Sequence, residues 1–270
     1  GTYDLIFPSD CMIEIMIYRN MLEKFDYSKL QNEGNIDSFY LNQSFDPGNQ
    51  YSLPFVMAST VIAVNREHIS DEIRSYSDLL NDKYRNNITL IDDQRIIIGM
   101  ALLANGYDMN TVDESELNVA KEWLLQLKPN IKAFDSDSPK NFLITEEADI
   151  AVLWNAEAAL AYQEMGNIEF IYPEEGTALS MDNFAIPKGA RHQEEAYQFI
   201  DYILREDVMK EIIESYPYKN VNWKTQKLLD SNYLDNIASN IPSYIIEQGI
   251  YVENIGESVK LYDKLWAEIK

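Results

Sequence analysis

The chain has 270 residues, 46% of them hydrophobic, which is enough for two ordinary domains and is not the composition of a disordered segment. Its 45 acidic and 22 basic side chains give a net charge of −23, which weighs against nucleic acid and an anionic bilayer and suits a cationic partner. One cysteine, Cys11, excludes an internal disulfide and a thiolate metal cluster, and no apolar run reaches the ~18 residues of a membrane-spanning helix.

In chain order, Leu5-Ile6-Phe7 reads as a buried strand stopped by Pro8-Ser9. Met12, Ile15, Met16, Arg19 and Leu22 then follow the helical period. Asp46-Pro47-Gly48-Asn49 is a turn cluster, with Gly and Asn supplying positive φ. Residues 61–64 and 88–91 read as further strands. Asp113 with Glu116 predicts a helix start, after which Leu117, Ala120, Leu124 and Leu127 line one face. Residues 150–153, 170–172 and 184–186 are strands. Ala196, Phe199, Ile200, Ile203 and Leu204 mark the clearest amphipathic helix. Near the end, Asn254 and Glu257 predict the cap of a helix carrying Val259, Tyr262, Leu265, Trp266 and Ile269. Short apolar runs alternating with helices predict an α/β fold with largely parallel sheets.

Catalytic signatures are lacking. The chain has no G-x-G-x-x-G, no Walker A loop and no G-x-S-x-G elbow. His68 and His192 lie in polar contexts and read as solvated side chains, and Cys11 lacks an obvious His partner. No catalytic residue, metal site or cofactor is therefore expected.

What remains is a recurrence of acidic and aromatic residues at strand ends. Asp92-Asp93 ends the strand at 88–91, Trp154 with Glu157 ends the strand at 150–153, and Asp182 lies just ahead of residues 184–186. Singly, a strand-end Asp is usually a helix cap and a strand-end Trp usually core. Together they stand where open α/β sheets bind ligands, outside the carboxyl ends of strands. An indole face with a carboxylate suits an alkylammonium, covering its methylenes and compensating its charge.

Several segments, in order, resemble the spermidine/putrescine-binding proteins of bacterial ABC importers, of the type II periplasmic-binding-protein family. They are Tyr3-Asp4-Leu5-Ile6-Phe7-Pro8-Ser9, Met21-Leu22-Glu23-Lys24-Phe25-Asp26, Phe45-Asp46-Pro47-Gly48-Asn49-Gln50-Tyr51 and Asp92-Asp93-Gln94-Arg95. Further matches are Ala133-Phe134-Asp135-Ser136-Asp137-Ser138-Pro139, Val152-Leu153-Trp154-Asn155, Met181-Asp182-Asn183-Phe184-Ala185-Ile186-Pro187 and Tyr216-Pro217. The resemblance implies two discontinuous α/β lobes joined by hinge strands: residues 1–57 with 182–224, and 58–181 with 225–270. The crossings fall near Ala58, Asp182 and Lys224. It also implies polyamine capture by lobe closure, delivery to a membrane permease with its ATPase, and an extracytoplasmic location, anchored by a segment outside this chain as in a lipoprotein.

Carried over residue by residue, Ser9, Asp93, Trp154, Asp182 and Tyr216 match the family's ligand positions. Asp182 would pair with one ammonium and Asp93 with an amine towards the other end. Trp154 and Tyr216 would pack on the methylenes. Glu157 stands where putrescine-preferring relatives carry a carboxylate. Ile96, Ser180, Val252 and Cys11 replace a glutamate, a tryptophan, a glutamine and a tyrosine of the spermidine receptors. The family's first strand and helix would precede Tyr3, which implies a truncation or a longer natural polypeptide such as a permease fusion. Without that segment the first lobe is expected to be incomplete and to favour oligomerisation or impaired binding. Competing readings are a same-fold receptor for another small cation, an enzyme using Asp93 and Asp182 as acid and base, and a non-transport sensing module.

Overall fold

The computed structural model describes residues 2–270. The chain begins with α1 (Asp10–Tyr18) and β1 (Ser52–Asn65), then β2 (Ile88–Leu90), α2 (Gln94–Ala104) and α3 (Glu114–Leu127). It continues through β3 (Ile131–Phe134), α4 (Lys140–Ile144), β4 (Ile150–Trp154), α5 (Asn155–Met165), β5 (Ile168–Ile171) and β6 (Ala178–Ala185). Last come α6 (Gln193–Ile203), α7 (Glu206–Ser215), β7 (Lys219–Asn220), α8 (Ser231–Leu234), α9 (Ser243–Gln248), β8 (Ile250–Tyr251) and α10 (Val259–Ile269).

Two compact units result, one of residues 2–58 and 180–240, the other of residues 59–179 and 241–270. Strands β1 and β6 pass from one unit into the other, and the third crossing lies at 240/241. Residues 225–240, expected in the second lobe, thus belong to the first. Their anchor is Tyr233, whose hydroxyl donates to Tyr218 O (2.8 Å) and accepts from Asn220 N–H (2.8 Å). Leu229 and Tyr233 also join that unit's apolar core.

In the first unit, β7 pairs antiparallel with β1 through Val56 and Met57. Its core gathers Phe25, Leu53, Phe184, Ile200, Met209 and Ile213. The α6 stripe is Ala196, Tyr197, Ile200, Ile203 and Leu204, while Phe199, expected on it, sits at the flank and is 48% exposed. Leu5-Ile6-Phe7 is not a regular strand. Ile6 exchanges two 3.0 Å hydrogen bonds with Ala185, but Pro8 has no N–H with which to continue a ladder.

The turn before β1 is held by Asp46, whose residue is 1% exposed. Its carboxylate accepts from the amides of Gln50 (3.0 Å), Tyr51 (2.9 Å) and Ser52 (2.8 Å) and from the Ser52 hydroxyl (2.8 Å). Gly48 (φ 79°) and Asn49 (φ 51°) supply the left-handed residues of the turn. Asp46→Ala strands these donors, three amides and a hydroxyl. We expect it to destabilise the chain by about 3 kcal/mol, read from urea denaturation at constant m-value.

In the second unit, β2 lies between β3 and β4, parallel to both, and β4 and β5 each pair antiparallel with β1. The α2 helix is buried on every face from Ile96 to Leu103, so it is core rather than amphipathic. The α3 stripe is as expected, Leu117, Ala120, Leu124 and Leu127 all being buried, and Asp113 caps Ser115 N–H at 2.7 Å. The α10 start differs from expectation. Asn254 accepts from Gly256 N–H (3.0 Å), and a 3-10 turn at Gly256–Ser258 leads into Val259. Where β8 pairs with β6, a Cβ at Gly249 would lie 2.5 Å from Leu179 Cγ, so that approach requires glycine.

Candidate functional site

The first unit brings two carboxylates to one place. The segment ending at Ser9 runs antiparallel along β6, with Asn183 N–H donating to Pro8 O (3.0 Å) and a bridge between Ser9 and Asp182. The next residue, Asp10, opens α1, where the helix N-terminus favours an anion. Its residue is 3% exposed, and its Oδ1 accepts from the Ser180 hydroxyl (3.1 Å) and from Met181 N–H (3.1 Å). These two donors immediately precede Asp182 on β6.

Burial pushes the Asp10 carboxyl up to about 6, against the lowering effect of its two hydrogen bonds and with a further push from the Asp182 charge. Burial alone raises Asp182 to about 6. Among the described residues, no hydrogen-bond donor or cation engages the Asp182 carboxylate. A part-buried carboxylate that has lost some of its water and has no protein partner is stabilised by a cation that brings its own N–H donors.

In the second unit, β2 and β4 are parallel neighbours in register, Leu90 opposite Val152, so their carboxyl ends share one edge. Asp93 follows β2 and caps α2, its Oδ1 accepting from the amides of Arg95 (2.8 Å) and Ile96 (3.1 Å). The capping role expected of a lone strand-end Asp is therefore present, and its second oxygen has no hydrogen bond among the described residues. Trp154 ends β4 and directly precedes α5, half-buried, with its backbone opposite Thr60. Glu157, in the first turn of α5, receives the Lys140 ammonium at 2.8 Å. That carboxylate already holds a cation from its own chain.

The structure thus sets Ser9 beside Asp182, and Asp93 and Trp154 at the ends of adjacent strands. Tyr216 caps α7 and is 63% exposed; its side chain makes no hydrogen bond, ion pair or ring contact among the described residues. Sequence reasoning missed Asp10. Its one signal was an acidic residue straight after a strand-end Ser, which equally reads as an ordinary first-turn charge. The histidines each pair with an aspartate, His68 with Asp149 (2.7 Å) and His192 with Asp4 (2.8 Å), which raises both imidazoles. Among the described residues no cluster of His, Cys, Asp or Glu could hold a metal ion, and no helix is long and apolar enough to cross a membrane.

The family model described as bacterial extracellular solute-binding protein matches residues 1–232. The chain is 36% identical to the spermidine/putrescine-binding periplasmic protein of Salmonella typhimurium, over 100% of this chain and 78% of that protein. It is 34% identical to the protein of the same description from Escherichia coli, with the same coverage of 100% and 78%. A solved spermidine/putrescine ABC transporter substrate-binding protein of Streptococcus pneumoniae superposes with a TM-score of 0.88 at 30% identity, covering 99% of this chain and 83% of that one.

Proposed function

The chain belongs to the bacterial extracellular solute-binding proteins, and from that membership we propose that it captures a polyamine, putrescine or spermidine, outside the cytoplasmic membrane. As the substrate-binding component of an ABC importer, it passes the ligand to a membrane permease driven by its ATPase, and it binds without turnover. The observation that carries this reading is Asp182, a part-buried carboxylate raised by desolvation, with no hydrogen-bond donor or cation engaging it among the described residues.

An alkylammonium supplies three N–H donors and a full positive charge, which compensates the desolvation that Asp182 suffers in the empty protein. Ser9, opposite Asp182, adds a polar neighbour at that end. In the second unit, Asp93 has one carboxylate oxygen left over from capping α2 with which to accept from an amine. Trp154 in the second unit and Tyr216 in the first each offer an aromatic face, which attracts a cation and excludes water from methylenes beside it. Glu157 contributes only after sharing its charge with Lys140.

A same-fold receptor for a different small cation is the second reading. It is favoured by Ile96, which is 3% exposed inside α2 and offers no amine a partner. A thermal-shift panel decides between them. With putrescine, cadaverine, spermidine and spermine at increasing concentration, the melting temperature should climb selectively with one or two of them. A chain that melts at the same temperature with all four is not a polyamine receptor.

A further inference from the structure

The reading of Asp182 as an ammonium partner leaves its buried neighbour without a role. Asp10 does not need to be acidic to begin a helix, and a carboxylate that is 3% exposed is costly to retain. Its hydrogen bonds reach β6 at Ser180 and Met181, the two residues leading into Asp182, while Ser9 on its other side bridges to Asp182 itself. Asp10 therefore grips β6 from one side of Asp182, whose negative charge acts on it in turn. We infer that Asp10 is a positioning residue of the ammonium subsite, fixing Asp182 on β6 and coupling capture of an ammonium to release of a proton from the carboxylate pair.

The inference rests on the polyamine reading and adds proton linkage to it. The titratable groups around Asp10 are Asp182 on β6, Cys11 beside it and Glu14 one turn along α1, with Tyr51 packed on the Ile13 cluster of the same helix. Of their charges, that of Asp182 acts on it most. Two interacting carboxyls titrate as a pair, and near pH 6 the empty pair holds part of a proton. An arriving ammonium favours the doubly ionised pair, so the proton leaves to solvent as the ion pair forms. Polyamine amines stay protonated at this pH, so the released proton comes from the protein.

The test is calorimetry with spermidine from pH 5 to pH 8, in buffers of different ionisation enthalpy. The unaltered chain should bind more tightly as pH rises through about 6 and release protons there. Asp10→Asn keeps an oxygen for the Ser180 and Met181 donors but removes the charge. It should move the midpoint of the profile down, shrink the proton release and weaken binding about 3- to 10-fold at pH 8. Ser180→Ala removes one donor to ionised Asp10 and should move the midpoint up. Opposite displacements are not what a purely structural role gives, and Ser180→Ala carries the test if Asp10→Asn fails to fold. Profiles that superpose, or move in the same direction, overturn the inference while leaving the polyamine reading intact. An unaltered chain that binds no polyamine overturns both.

Discussion

Asp182→Asn should abolish amine binding at neutral pH, with affinity falling by at least about 100-fold for every polyamine that the unaltered chain accepts. Asparagine keeps the shape but gives up the charge that an ammonium must find when it leaves water. Removing one member of a buried charged hydrogen bond costs about 2–5 kcal/mol, most of it from stranding the other member. The empty variant should fold at least as well as the parent. Folding raises the Asp182 carboxyl from 3.8 to about 6, so the folded chain holds that proton more tightly than the unfolded one. The group's contribution therefore weighs against folding as pH climbs from about 4 to about 6 and stays unfavourable above. A neutral amide removes this term. Equal or higher melting temperature together with lost binding separates a binding defect from a folding defect. Unchanged affinity would remove Asp182 from the site.

The second large effect belongs to Trp154. Trp154→Ala should weaken putrescine and spermidine alike, by about 1–2 kcal/mol or roughly 5- to 30-fold, because in the proposed role the indole would contribute cation–π attraction and methylene cover. Both ligands carry the four-carbon spacer that such a face covers, so the loss is common to them. A loss confined to the longer polyamine would place Trp154 at the end of the ligand rather than beside its middle. Direct titration of both ligands against the variant measures this.

Much of the fold was legible because its elements carry local periods. The α3 stripe, the strand at 150–153 and the Asp46 turn are written in residues that lie close together in the chain. What escaped lacks a local signature. The α2 helix is apolar on every face and shows no 3.6-residue period to read. Pro8 denies Leu5-Ile6-Phe7 a ladder although its composition is that of a strand. Residues 225–240 belong to the first unit through Tyr233, whose partners Tyr218 and Asn220 lie across an intervening turn.

The site divides in the same way. Asp93, Trp154 and Asp182 could be singled out because strand ends are where such folds bind ligands. Glu157 has its charge met by Lys140, 17 residues upstream, and Asp10 is buried by contacts 170 and 171 residues away. Burial and ion pairing over such separations follow from the tertiary fold, and no local pattern announces them.

Asp182, a part-buried carboxylate with no partner among the described residues, is proposed to receive an ammonium of the ligand. Isothermal titration of the unaltered protein at neutral pH with putrescine, spermidine and the neutral 1,4-butanediol tests it most directly. Saturable binding of one amine per chain, with no heat from the diol, is the predicted result. Binding of the diol as tightly as the diamine, or silence from both amines, would contradict it.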